Sequence, residues 1–322
     1  LTLAAPVARN AATPEHPMPL PAVSLPLAIA FPDIDPVLVT IPFVDLPIRW
    51  YALAYIAGLV LGALYVGRLM ATRRLWPRDT PPMAPGQTES LLTWMVAGII
   101  LGGRLGFVLF YQADYYLANP WEILRIWQGG MSFHGGFLGV VTATILFSRV
   151  NRVPVISLGD AVAAAAPMGI FFGRLANFIN AELWGRPTSL PWGVIFPGPA
   201  AQICPEGWTG ICARHPSQLY EAALEGLILF VVISWAIWRR GWLKHPGRVI
   251  GLFLLGYGLA RTVVEGFRQA DGQFITPGNP FGHILRLGTG PDAFGLTMGQ
   301  ILSLPMVALG LWILLRRRPA RR

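Results

Sequence analysis

Charge is what this 322-residue chain has least of. Asp, Glu, Lys and Arg make up 13% of it, against 54% hydrophobic residues and a mean hydropathy of +0.52. Water-soluble domains carry about 25% charged residues, so composition alone excludes an ordinary soluble fold and points to a membrane protein. Lysine is almost absent: Lys244 is the single one among 25 basic residues, which reads as a base-composition bias and not as function. The net charge of +9 does not imply nucleic acid, because the positives fall in clusters between apolar runs. There are two cysteines, Cys204 and Cys212, in one polar loop, with no histidine placed to complete a metal site. They are either a disulfide, if the loop is extracytoplasmic, or two incidental thiols. HExxH, GxSxG, the P-loop and acidic pairs at metal spacing are all missing, so the expected chemistry needs no metal and no cofactor. No convincing internal repeat occurs, which weakens a secondary-transporter reading. The proline-broken N-terminus lacks a basic n-region, so no signal peptide is expected, and Met18 is a plausible initiator.

What is present is a series of seven apolar spans at about 49–69, 89–110, 134–150, 157–178, 218–238, 248–267 and 297–315, each near the roughly 20 residues that cross a bilayer. Pro167 and Pro305 lie inside spans, where neighbours must help satisfy the freed carbonyls. Gly98, Gly102 and Gly106 form overlapping GxxxG units, with another at Gly58/Gly62, and are read as helix packing. Fifteen basic residues lie in one set of connections (around 68–78, 149–152, 239–248 and 316–322) and seven in the other. That bias puts the first set in the cytoplasm, the N-terminus outside, the C-terminus inside, and loop 179–217 outside. Phe31–Thr40 is expected to lie at the surface as an amphipathic or extended segment.

The polar residues inside the spans then gather on the outward side. Tyr51 begins span one, and Arg104 lies about 9 Å below the outer end of span two. His134 opens span three, Arg174 and Asn177 share a face near the outer end of span four, and Glu221 and Glu225 begin span five. Tyr257, Arg261 and Glu265 form one stripe of span six at i, i+4 and i+8. An arginine in an apolar span is costly and marks a paired or functional site. Its planar fork suits phosphate, and several positives at headgroup level suit an anionic phospholipid. The expectation is one polar cavity open to the outer face. Arg261–Glu265 as a self-neutralising pair, and Asn180 as a helix cap, are the plainer alternatives. A lipid-phosphate enzyme and a lipid-anion binder both remain open on these residues.

Eight ordered motifs make the reading specific: FPDIDPV (31–37), RWYALAY (49–55), LGGRLGFVLFY (101–111), GGMSFHGGFLG (129–139), GRLANFINAELWGR (173–186), RHPSQLYEA (214–222), GYGLARTVVEGFRQAD (256–271) and MGQILSLPM (298–306). With these the chain resembles the prolipoprotein diacylglyceryl transferase family from about residue 31 to its end. The resemblance implies transfer of the diacylglyceryl group of phosphatidylglycerol to the lipobox cysteine of a preprolipoprotein, with a thioether formed and glycerol 1-phosphate released, in the bacterial inner membrane. It implies that Arg174 binds the lipid phosphate, that Asn177, Glu182 and Gly185 belong to the same signature, that His134 is essential, and that Tyr257 and Arg261 are critical. Tyr51 matches the first-span motif, and Glu221, Glu265 and Arg268 are supporting residues. The chain departs from the family's frequent FFRQPD at Gly266–Asp271, a change that leaves the Arg and Glu positions intact.

The expected architecture is an all-α integral membrane protein of seven transmembrane helices with an outward polar cavity and a periplasmic loop region. Residues 1–48 form an N-terminal extension and surface segment, 49–316 the membrane domain, and 317–322 a basic tail. His134, Tyr257 and Arg261 are the expected catalytic group. Arg174, Asn177, Tyr51, Arg104, Glu182, Gly185, Glu221, Glu265 and Arg268 are expected to bind substrate. The attacking thiol must become a thiolate, helped by His134 or by the Tyr257–Arg261 pair, while Arg174 and Arg261 stabilise charge on the departing phosphate. A scramblase using the same arginines would need a polar path through the inner halves of the spans, which offer little beyond Asp160. A non-catalytic scaffold would leave the gathering of polar residues unexplained.

Overall fold

Runs of leucine, alanine, isoleucine and glycine without charge can satisfy their backbone only as helix when no water is at hand. The computed structural model describes residues 28–43, 45–204, 208, 210–290 and 293–316. The stretch before residue 28, with Met18, and the basic tail 317–322 lie outside the described residues. Helices stand over all seven expected stretches: α1 (Trp50–Ala71), α2 (Thr88–Tyr111), α3 (Phe133–Val150), α4 (Val155–Ile179), α5 (Ser217–Arg240), α6 (Arg248–Val264) and α7 (Met298–Leu315). Six are long and apolar enough to cross a membrane; α6, at 17 residues, is the shorter one. It stops early because Glu265–Phe267 turn back on its last carbonyls, with Phe267 N–H donating to Val264 O at 2.8 Å.

Helix α4 is central, packing against α1, α3, α5 and α6, while α2 pairs with α3 and α6 with α7. The α2–α3 seam is made of glycine. A Cβ on Gly106 would stand 2.7 Å from Gly135 Cα, and one on Gly102 would stand 2.8 Å from Gly139 Cα, so any side chain there would push the backbones apart. The GxxxG units are therefore packing devices, and the glycines after His134 serve the same seam.

The ends of the helices are satisfied locally. Ser132 caps α3 by accepting from Gly135 N–H at 3.2 Å, and Thr297 and Gln300 form a reciprocal cap on α7. Fully buried Asp160 of α4 accepts from Gly247 N–H at 2.5 Å and Ile250 N–H at 2.9 Å. It caps α6 across the bundle, where the positive end of the helix favours a carboxylate. Gly241, in the left-handed region at φ 63°, ends α5. Around this end of the bundle Leu69, Met70, Trp76, Phe147, Leu158, Ile233, Ile237 and Leu243 form a closed apolar core.

The membrane body is all-helical, as expected, and among the described residues three two-stranded sheets decorate it: β1 (Ile29–Ala30) parallel to β4 (Val194–Ile195), β2 (Val37–Ile41) antiparallel to β3 (Leu46–Arg49), and β5 (Leu285–Leu287) antiparallel to β6 (Phe294–Leu296). Within 31–40, residues 37–40 are extended in β2, the second of the two forms expected for the segment. Phe31, Phe178 and Phe196 pack at 5.3–5.9 Å ring separations and pin β1 and β4 onto the end of α4. Cys204 and Cys212 are disulfide-bonded.

Candidate active site

Helix α4 ends among polar side chains. Asn180 takes the cap position, its N–H donating to Ala176 O at 3.0 Å. Ala181 and Leu183 then adopt left-handed φ of 53° and 56°, a conformation that costs non-glycine residues about 1–3 kcal/mol and clusters at functional sites. This reversal folds Glu182 back over the helix end. Asn177 Nδ2 donates to Glu182 Oε1 at 2.7 Å, and Asn177 Oδ1 accepts from Arg174 Nη1 at 3.3 Å. Gln218 Nε2 donates to the Glu182 carbonyl at 2.6 Å, tying the reversal to the start of α5.

The centre of the site is one carboxylate. Glu221, 1% exposed, pairs through Oε2 with Arg174 Nε of α4. Its Oε1 accepts from Arg261 Nη1 of α6 at 3.2 Å and from Arg268 Nη1, beyond α6, at 2.8 Å. Glu265 binds the other side of the same arginines: Oε1 lies 2.8 Å from Arg261 Nη2 and 3.3 Å from Arg268 Nε, while Oε2 accepts from Thr297 at 3.0 Å. Glu225, one turn after Glu221, is fully buried. Its nearest cation is Arg261 Nη1 at 3.9 Å, and neither of its oxygens has a hydrogen-bond partner among the described residues. Glu225 sits within, and Glu221 immediately before, the stretch Ala222–Ile228 where α5 takes π geometry; such bulges recur at functional sites. Tyr257, one turn before Arg261, interacts electrostatically with Glu225, Arg261 and Arg174.

Gly185 completes the constellation by shape. Its N–H donates to His215 O at 2.8 Å, it bridges to Arg268, and a Cβ there would meet His215 Cβ at 2.7 Å. Tyr51 and Tyr55, one turn apart on α1, place their hydroxyls 3.3 Å from each other, and Tyr55 interacts electrostatically with Arg174 and Glu182. Thus Arg174, Asn177, Glu182, Gly185, Glu221, Tyr257, Arg261, Glu265 and Arg268 come together, with Tyr51 adjoining through Tyr55.

Two expected members do not join. Arg104 was expected in the same arginine cluster, but its guanidinium is buried among carbonyls. Nε donates to Ile123 O at 2.8 Å, Nη2 to Glu122 O at 2.6 Å, and Nη1 to Gly129 O at 2.6 Å. The reason is local: the turns of 120–130 aim the carbonyls of Glu122, Ile123, Gly129 and Gly130 at one point, and Arg104 donates to all four. His134 is the second residue of α3 and is exposed, its ring 5.7 Å from that of Phe133; no described hydrogen bond or ion pair links it to the Glu221 centre.

Other residues of this face carried no expected role. Arg214 is 3% exposed, donates to Ala201 O at 2.6 Å and Ile203 O at 2.5 Å, and stacks 3.9 Å over Trp184. Burial pulls its pKa down to about 10. Arg186 donates to Arg268 O at 2.8 Å and lies over Phe281; burial lowers its pKa, opposed by Glu265. The signal for both was motif membership alone. Two cavities, of about 260 Å³ beside Phe107 and Gln128 and about 710 Å³ beside Phe31 and Phe196, are not lined by the Glu221 centre, which is closed by its own ion pairs.

Membrane-length helices that converge three arginines on a single buried carboxylate define a helical membrane protein with an ionic centre. The chain belongs to the prolipoprotein diacylglyceryl transferase family, whose model matches residues 36–316. Among its relatives, the phosphatidylglycerol–prolipoprotein diacylglyceryl transferase of Ruegeria pomeroyi is 61% identical over 292 residues, covering 89% of this chain and 97% of the relative. The protein of the same name from Cereibacter sphaeroides is 59% identical, with 90% and 98% covered, and that from Rhizobium meliloti 48%, with 91% and 95% covered.

Proposed function

We propose that the chain transfers the diacylglyceryl group of phosphatidylglycerol to the lipobox cysteine of preprolipoproteins, the first step of bacterial lipoprotein maturation. The carrying observation is the family itself, matched over almost the whole chain. The geometry is compatible with the chemistry that follows. The cysteine loses its S–H proton, its sulfur forms a bond to the terminal glycerol carbon, and the carbon–oxygen bond to phosphate breaks, its electron pair leaving on glycerol 1-phosphate. Arg174, Arg261 and Arg268 stabilise that departing charge, held in position by Glu221 and Glu265. Asn177 and Glu182 meet the headgroup. His134 or the Tyr257–Arg261 pair receives the thiol proton.

On this reading the chain crosses seven times, with α6 as the short crossing, and the basic-residue bias supports an outer N-terminus, a cytoplasmic C-terminus and an ionic centre near the outer face of the inner membrane. The disulfide in loop 179–217 speaks for the same orientation, since such bonds persist in oxidising compartments. A two-tailed substrate enters sideways from the bilayer. The transport reading loses its one charged candidate in the inner halves, because Asp160 is spent on capping α6. The deciding experiment is mass spectrometry of a lipobox peptide incubated with purified protein and phosphatidylglycerol. A diacylglyceryl gain on the cysteine, absent when that cysteine is serine, is the expected result; no gain with folded protein across several anionic lipids would overturn the reading.

A further inference from the structure

The three arginines of the centre do not face an empty socket. Each is already bonded to Glu221, whose two oxygens take Arg261 and Arg268 on one side and Arg174 on the other. A carboxylate and a phosphodiester present the same feature to guanidinium forks: a pair of oxygens sharing one negative charge. We propose that the Glu221 carboxylate occupies the place of the lipid phosphate, gives it up when the lipid binds, and returns to it to expel the phosphomonoester product. The inference rests on reading the arginine cluster as the phosphate site.

Charge supports the exchange. In the closed centre three guanidiniums, Arg174, Arg261 and Arg268, face three carboxylates, Glu221, Glu225 and Glu265. A fourth carboxylate, Glu182, is one amide away through Asn177. A lipid phosphate added to that set brings a surplus negative charge into a buried site. The surplus disappears from around the arginines if Glu221 withdraws. The backbone supports it as well, because Glu221 immediately precedes the π turn of α5, where the bonding register is not that of a regular helix. Glu265, in contrast, is anchored by Thr297 and keeps Arg261 and Arg268 aimed in either state. The outgoing glycerol 1-phosphate carries more charge than the lipid and would be held tightly by three arginines; a returning carboxylate competes it away. Glu221 is on this account a positioning residue that acts through the arginines.

The test is Glu221→Gln in the full-length protein, with glycerol 1-phosphate as the probe. The expected outcome is a variant whose thermal midpoint rises with glycerol 1-phosphate at concentrations that leave the wild type unmoved. Product inhibition should be about tenfold tighter, with a lower KM for phosphatidylglycerol and a lower kcat. A structural role alone would raise KM or leave the anion response unchanged, and either result overturns the proposal. If the variant folds poorly, purification in glycerol 1-phosphate should restore it; failure of that rescue also counts against the exchange. The wild-type peptide assay run in parallel separates the two ideas. Transfer without an altered anion response in Glu221→Gln removes the exchange and leaves the transferase, whereas an altered anion response without wild-type transfer does the reverse.

Discussion

Two buried arginine environments in this bundle use the same side chain in opposite ways. Arg104 is held by backbone carbonyls of 122–130 and, from 5.1 Å, by the ring face of Tyr116. Arg174, Arg261 and Arg268 are held by the carboxylates Glu221 and Glu265. Carbonyls bound to a loop cannot be exchanged without unfolding the loop, so Arg104 is a fixed structural cation. Carboxylates on side chains can move and can be replaced by another anion. An arginine in an apolar span is therefore not enough to mark a substrate site; the nature of its acceptors decides.

The strongest way to break the comparison is Arg174→Lys. Lysine keeps the charge but loses the fork that spans Glu221 and Asn177. Diacylglyceryl transfer to a lipobox peptide should fall by about 10²–10³-fold, the effect of removing one oriented transition-state donor, with the thermal midpoint little changed. Near-normal transfer would refute a role for the fork. Arg104→Lys should show the converse pattern. The carbonyls of 122, 123 and 129 lose their shared donor, so stability should drop by about 3 kcal/mol, read as a lower midpoint in detergent. Transfer by the protein that remains folded should change far less than for Arg174→Lys. Equal losses of transfer in the two variants would erase the distinction.

The helices were legible because apolar length is written along the chain, and their ends fell within three residues of expectation. The stripe Tyr257–Arg261–Glu265 was legible from helical periodicity. Arg104 misled because depth along a helix says nothing about which neighbour a long side chain will meet; the carbonyls that claimed it come from 3-10 turns with no sequence period. Glu221 looked like a supporting residue because its three partners come from α4, α6 and the turn beyond, a convergence that only tertiary packing creates. The small sheets were missed because strands of two to five residues fall below what alternation can reveal.

A milder perturbation concerns the disulfide Cys204–Cys212. Replacing Cys204 and Cys212 by serine opens a short covalent loop, which should cost about 2 kcal/mol. The cost should show as a lower midpoint that reductant reproduces in the wild type and does not add to in the variant. Arg214, which grips Ala201 O and Ile203 O beside that loop, should keep it seated, so transfer should stay within a few-fold of wild type. A loss as deep as that of Arg174→Lys would mean that the loop belongs to the ionic centre.

The smallest expected effect lies at His215, which joins the loop to α5. Its Nδ1 is 3.1 Å from the Tyr220 hydroxyl and its ring packs 5.2 Å from Phe267. Burial, and then the charge of Arg186, lowers its pKa below the usual 6.5. The folded imidazole thus resists a proton that the unfolded chain accepts. Between the two values the unfolded state binds more protons, so stability rises with pH there. The contribution is complete above about 6.5, shrinks as pH falls through it, and stops changing below the folded value. His283, also lowered by burial, acts in the same direction. Because His215 is only partly buried, the effect should stay under about 1 kcal/mol. Thermal midpoints measured from pH 7.5 down to 5.5 should decline less in His215→Gln than in the wild type. A steeper decline in the variant would show that the protonated ring is the one the fold prefers, and that Tyr220 accepts from it.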